Sequence, residues 1–225
     1  MTACYNAIIG SGKREESGCR KEGELMKTLF APGCALRAYR PDAIEALRSF
    51  LYERGLADDL FTTCCKAGAP ASEPMRLIVC CPGCSHHFGT LFPNAELVSL
   101  WKILLDTDFP FPDYHGARMS IHDSCPARQR YSAEMQVSAR ALCSRMHITL
   151  AEPVHTRENT VCCGGCAADR AVRIRMAKAR AAEFPERDVV IYCTGCTRSF
   201  SVTDRQPRHL LDLLFNVPTQ GLTLK

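Results

Sequence analysis

From Leu29 onward the order of cysteines in this chain is written twice, and a repeat on that scale fixes the architecture before any single element is assigned. Each half opens with a short apolar strand that ends in a lone cysteine, "LFAPGC" at Cys34 and "MSIHDSC" at Cys125. Helix-forming sequence follows. "RPDAIEALRSFLYERG" starts with Pro and Asp, sets Ile44, Leu47 and Leu51 at three- and four-residue spacing, and stops at Gly55; "SAEMQVSARALCSRM" has the same character. Each half then presents adjacent thiols, Cys64-Cys65 and Cys162-Cys163. An apolar run, "RLIVC" or "DVVIYC", next feeds a Cys-x-Gly-Cys turn, Cys81 to Cys84 or Cys193 to Cys196, and a second helix is expected to close each unit, over "AELVSLWKILL" and "RHLLDLLF". A β-branched run leading at once into a glycine turn and a helix is the pattern of an α/β layer whose strand ends line a crevice.

The fold class follows: α/β, with two pseudo-symmetric lobes, each a small sheet flanked by helices, and metal sites at the strand ends. The expected boundaries are an N-terminal tail without packed structure at 1–26, a first, degenerate lobe at 27–112, a second lobe at 117–217 and a C-terminal tail at 218–225. Met26 reads as the true start of the fold. "GSGK" in the tail is not a phosphate loop, because Ala7 and Arg14 stand where glycine and Ser or Thr are needed. The second half is the fuller copy. Its "AADRAVRIRMAKARAAEF" is helix-forming, whereas the first half has only "KAGAPASEPMR" in the same place, too rich in Pro and Gly for a comparable helix.

A chain of 225 residues can bury a core without disulfide staples, so stability alone does not call for 15 cysteines. No apolar run is long enough to span a bilayer, and "ACYNAIIG", followed directly by charge, is too short for a signal-peptide core. The expected compartment is the cytoplasm, without direct membrane insertion. There thiols stay reduced, and an odd, clustered cysteine set points to metal or redox chemistry. A net charge of +4, with no aromatic interleaving of basic residues, gives no reason to expect nucleic acid as a partner.

Ten cysteines belong to the matching sets: Cys34, Cys64, Cys65, Cys81, Cys84, and Cys125, Cys162, Cys163, Cys193, Cys196. In a strand, neighbouring side chains point to opposite faces, so Cys162 and Cys163 address one centre only from a turn, which Gly164 and Gly165 provide. A Cys-x-Gly-Cys turn opening a helix turns N–H groups toward sulfur and favours the anionic thiolate. Structural zinc is one reading of such a set, although zinc takes four ligands and each half offers five. Iron–sulfur clusters are the other. Cys143 reads as a small core hydrophobe, as do Cys4 and Cys19.

The order lone Cys, Cys-Cys-Gly, Cys-x-x-Cys, occurring twice between Phe30 and Phe215, resembles the cysteine-rich CCG-domain family typified by the B subunit of heterodisulfide reductase. The resemblance implies one or two [4Fe-4S] clusters, of non-cubane form in the heterodisulfide reductases. Cys125, Cys162, Cys163, Cys193 and Cys196 would hold the second, and Cys34, Cys64, Cys65, Cys81 and Cys84 the first. It implies electron transfer within a multisubunit oxidoreductase, flavoprotein or ferredoxin-type partner subunits, and a small disulfide as the substrate class. The chain has no flavin or nicotinamide fingerprint of its own, so a partner must deliver electrons. In the first half Lys66 replaces the motif glycine and the following segment is short, which admits zinc at that site. The opposing reading of the whole chain is a non-catalytic structural-zinc scaffold or assembly protein.

Other residues attract weaker expectations. His122-Asp123 could supply a proton donor beside the second site, or a polar pair that satisfies loop backbone groups. Cys80 and Cys166 have no place in the motif; either could replace a ligand or resolve a disulfide, and the favoured reading is a buried structural bystander. His86-His87, following Cys84 at a helix start, could supply a zinc nitrogen, and the favoured reading places them on an exposed turn. Arg170, Arg173, Arg175, Lys178 and Arg180 read as a solvated helix face, or as a dock for an acidic electron carrier.

Overall fold

The computed structural model describes residues 26–63, 74–128 and 133–220. Cys64, Cys65, Lys66, Cys4 and Cys19 lie outside the described residues, as do nearly all of the N-terminal tail and positions 221–225. Two four-stranded parallel sheets form the framework. In the first, β1 (Lys27–Ala31), β2 (Asp59–Leu60), β3 (Met75–Val79) and β4 (Glu96–Ser99) run in the order β2-β1-β3-β4. In the second, β5 (Arg118–His122), β6 (Thr149–Ala151), β7 (Asp188–Ile191) and β8 (Gln206–His209) run β6-β5-β7-β8. The two sheets share one topology, as the repeated sequence requires.

Helices alternate with the strands: α1 (Cys34–Tyr39), α2 (Pro41–Glu53), α3 (Pro82–Leu91) and α4 (Leu100–Leu105) in the first lobe, and α5 (Ala133–Arg145), α6 (Arg170–Ala181), α7 (Thr194–Phe200) and α8 (Leu210–Leu214) in the second. Pro41 and Asp42 open α2, which buries Ala43, Ile44, Leu47 and Leu51 on one face. Asp169 caps α6 by accepting from the Val172 N–H at 2.8 Å. The central strands β3 and β7 are nearly continuous apolar runs because helices cover both of their faces.

Two expectations need correction. "AELVSLWKILL" and "RHLLDLLF" are not single helices: Glu96–Ser99 pairs with β3, and Gln206–His209 pairs with β7, before each helix begins. Segments this short lack a decisive period, and an open strand edge beside them takes up their backbone groups. The first residues of the C-terminal segment are tied to the first lobe. The Pro218 carbonyl accepts from Arg40 Nη2, and the Gln220 N–H donates to the Tyr39 hydroxyl.

The lobes are packed together. One apolar cluster runs from Phe30, Leu47 and Ile78 through Trp101 and Leu104 to Met119, Leu142 and Leu214. Across the same boundary, Arg40 Nε donates to the Asp212 carboxylate at 2.7 Å and the Tyr39 hydroxyl donates to it at 2.5 Å, all three residues being buried. A smaller cluster, Val189, Ile191, Phe184, Phe200, Ala181, Cys163 and Cys196, lies on the other face of β7.

In each sheet the chain order reverses between the two middle strands, β1 and β3 or β5 and β7. Parallel α/β sheets open a crevice at such a switch point, outside the carboxyl ends of the strands. The lone cysteines follow β1 and β5, and the Cys-x-Gly-Cys turns follow β3 and β7. The topology therefore delivers both cysteine motifs to the one place where side chains from separate strands can meet.

Candidate metal centre

In the second lobe Cys125 opens a short 3-10 turn, Cys125–Arg128, directly after β5. Cys162 and Cys163 sit on the loop before α6, where Gly164 adopts φ 83°. A Cβ at Gly164 would lie 2.7 Å from the Arg173 carbonyl and 2.9 Å from the Met176 Cβ, so glycine is required both by the backbone and by the approach of α6. That turn sends the adjacent thiols to different neighbours. Cys162 Sγ stands 3.2 Å from Cys166 Sγ and hydrogen-bonds to Cys125, while Cys163 Sγ stands 3.3 Å from Cys196 Sγ. The donor atoms of Cys125, Cys162 and Cys166 all lie within 4.8 Å of one another, and so do those of His122, Cys163 and Cys196.

The sulfur contacts do not stop at the lobe boundary. Cys193 hydrogen-bonds to Cys196 within its turn and to Cys81 of the first lobe, and Cys81 hydrogen-bonds to Cys84. Cys81 and Cys193 occupy matching positions, each the residue that caps its helix, α3 or α7. Gly33, at φ 82°, makes room for Cys84: a Cβ there would lie 2.5 Å from its sulfur. Cys34, next in sequence, is exposed. The structure thus joins Cys125, Cys162, Cys163, Cys196, Cys193, Cys81 and Cys84 in one run of neighbouring sulfurs, with Cys166 at its exposed end.

Thiols this close cannot all ionise unaided. Hydrogen bonding to Cys125 and Cys163 holds Cys162 well below the ordinary thiol range, helped by the Gly164 N–H at 3.3 Å. Its neighbours move the other way. Hydrogen bonding to Cys162 raises Cys125 and pushes Cys163 up to about 12. Cys193 stands at about 12, because the hydrogen bond to Cys81 and burial outweigh the Cys196 hydrogen bond acting downward. Cys81 is likewise at about 12: the Cys193 hydrogen bond lowers it, and hydrogen bonding to Cys84 and burial prevail. A bound cation would reverse this balance, since coordination deprotonates thiols outright. The donor set therefore fits a thiophilic metal or cluster.

Around the sulfurs the structure revises several expectations. Cys166 is exposed, not a buried bystander, and touches Cys162. Cys80 is buried as expected, its Sγ 3.7 Å from the Pro32 carbonyl. The matching pair in the second lobe, Tyr192 and Asp123, is joined by a hydroxyl–carboxylate bond of 2.5 Å, so both lobes tie the same two positions together. Asp123 is fully buried. Although burial opposes its charge, bonds from Arg140, Tyr192 and the Arg157 N–H hold its carboxyl at about 2. His122 is fully buried, and burial followed by the Arg180 charge lowers it to about 3, so it is neutral. His86 is half-buried and His87 exposed, outside both sulfur trios. Arg180 does not belong to a solvated face: it is 1% exposed and bonds to His122, Glu183 and the His155 carbonyl. Its place on the buried edge of α6 follows from the three-residue step after Ala177, which is also buried.

Among the described residues no helix is long and apolar enough to cross a membrane. Comparison with protein-family models, with curated proteins and with solved structures returns no match.

Proposed function

We propose that this chain is an iron–sulfur redox protein of the heterodisulfide reductase B type, which passes electrons within a multisubunit oxidoreductase and acts on a disulfide. One observation carries the reading: the run of sulfur contacts from Cys166 and Cys125 through Cys162, Cys163, Cys196 and Cys193 to Cys81 and Cys84, continuous across the lobe boundary. A four-iron cluster held by such thiolates supplies one-electron chemistry, at a potential set by charge, hydrogen bonds to sulfur and exposure. Cys125, Cys162, Cys163, Cys193 and Cys196 would hold the second-lobe cluster, and Cys81 and Cys84, with Cys34, Cys64 and Cys65, the first.

The chain's own residues divide the labour. The apolar wall of Phe184, Phe200, Val189 and Ile191 keeps water from Cys163 and Cys196. The Gly164 N–H donates to Cys162. Cys162 and Cys166, on the accessible side, form the face that a disulfide would approach. Electrons come from a flavoprotein or ferredoxin-type partner subunit.

The rival reading, a zinc-binding scaffold, draws on the compactness of the Cys125, Cys162 and Cys166 trio, a spacing that a single tetrahedral ion accepts. Cysteine substitution after anaerobic purification tests the ligand assignment. Cys162→Ala and Cys193→Ala are expected to lose the second-site visible chromophore, and Cys143→Ala, buried within α5, to keep it. Equal retention in all three would contradict the assignment.

A further inference from the structure

We infer that His122 serves the second-lobe sulfur site as a hydrogen-bond donor and not as a ligand, with its tautomer fixed by the buried guanidinium of Arg180. The inference rests on reading that site as a metal–sulfur centre. Spacing alone would make His122, Cys163 and Cys196 a mixed nitrogen and sulfur ligand set, since their donor atoms lie within 4.8 Å of one another. Arg180 decides otherwise. A guanidinium has only N–H groups to offer and keeps its proton in a protein. Its Nε donates to His122 Nδ1 at 3.3 Å, so Nδ1 presents its lone pair to Arg180 and the neutral ring carries its proton on Nε2. One nitrogen is thus occupied and the other capped by hydrogen. Neither can give an electron pair to a metal.

The Nε2–H is buried and meets no acceptor among the described residues. A buried donor left unpaired is costly, and since neither the Cys163 nor the Cys196 sulfur accepts from it in this structure, its acceptor is the anionic sulfur that a loaded site would bring: inorganic sulfide, or one of those thiolates drawn into place by the metal. Both partners are held firmly. Arg180 Nη1 donates to Glu183 at 2.5 Å and Nη2 to the His155 carbonyl at 2.6 Å, with the guanidinium over the Phe184 ring at 4.7 Å. The imidazole packs edge-on against Phe200 and Phe184, at 5.0 Å and 6.0 Å between centroids. In the first lobe the position three residues before the lone cysteine is Ala31, which has no such group. The two sites therefore differ in a property the cysteine repeat does not reveal. An N–H donated to sulfur stabilises the more negative, reduced state, so the second site is tuned to the higher potential by His122.

The experiment uses the full-length protein, purified anaerobically, as wild type, His122→Phe and His122→Gln. Metal and sulfide content are measured, and each protein is titrated reductively with paramagnetic resonance detection. His122→Phe is expected to keep the wild-type metal content while its second-lobe signal moves to lower potential, with His122→Gln, whose amide can still donate, between the two. Loss of metal from folded His122→Phe would make the histidine a ligand, and unchanged potentials would remove its role as donor; either overturns the proposal. A second measurement survives a folding failure in the variants: long-range proton–nitrogen spectra of the histidine rings in zinc-loaded wild-type protein. A neutral Nε2–H tautomer is expected for His122, giving way to mixed tautomers in Arg180→Met. A proton on Nδ1, or a metal-shifted nitrogen, overturns the proposal. Should the protein bind zinc alone, the redox reading fails, while zinc stoichiometry and the nitrogen spectrum still decide the role of His122.

Discussion

Asp123 follows His122 at the carboxyl end of β5, and its carboxylate accepts from Arg140 at 2.8 and 3.0 Å, the Tyr192 hydroxyl at 2.5 Å and the Arg157 N–H at 2.7 Å. It fastens α5, β7 and the loop before Cys162 to one point. Asp123→Ala would leave the Tyr192 hydroxyl buried without its partner and Arg140 paired with Glu152 alone, and is expected to cost about 3 kcal/mol. The pH dependence has a definite sign. The folded value of about 2 lies below the ordinary carboxylate value of about 3.9, so the stabilisation is full above pH ~4 and is lost as pH falls through about 2. The amount at stake is about 2–3 kcal/mol. Urea unfolding between pH 2 and 6 should show wild type losing this increment and Asp123→Asn lacking it; parallel pH profiles would contradict the assignment. At this scale the cysteine motifs were legible, because spacing and duplication are properties of the sequence itself. Cys166 and Arg180 were not. Whether a thiol four residues beyond Cys162 turns back to it depends on the Gly164 turn, and which arginine of a basic helix is buried depends on what packs beside it.

At the scale of elements, the loop carrying Cys162 and Cys163 keeps its shape through its contact with α6, and Gly164 is the point of closest approach. Gly164→Ala combines a left-handed φ with a backbone collision, and a destabilisation of about 1–3 kcal/mol is expected. Metal retention should fall with it, measured as metal bound per chain after gel filtration. Asp169→Ala, which removes the cap of the same helix without touching the turn, should cost only about 1 kcal/mol and leave metal content unchanged. Equal metal loss in the two variants would show that the integrity of α6, and not the turn, governs the site. Helix α2 was legible from its period and its Pro-Asp start, and α5 and α6 from their helix-forming composition. Strands β4 and β8 were hidden, since four residues such as "ELVS" or "QPRH" acquire a strand identity only from the exposed edge of β3 or β7.

For the whole molecule, the sequence repeat announced two α/β lobes but not how they join. That is decided by an apolar cluster common to both and by Arg40 and Tyr39 converging on Asp212, residues without any motif to mark them. Because the core is shared, thermal unfolding followed by tryptophan fluorescence at Trp101 and by far-ultraviolet circular dichroism should give coincident, single transitions. Two separated transitions would mean that the lobes unfold independently. The same junction brings the Cys-x-Gly-Cys turns of the two lobes together through Cys81 and Cys193, which is why the sulfur run crosses it. The most direct test of the account is elemental: iron, zinc and acid-labile sulfide per chain in anaerobically purified, iron- and sulfide-reconstituted protein, with paramagnetic resonance before and after reduction. Iron and sulfide in comparable amounts with a reducible paramagnetic signal are predicted. Colourless protein that retains zinc alone would contradict it.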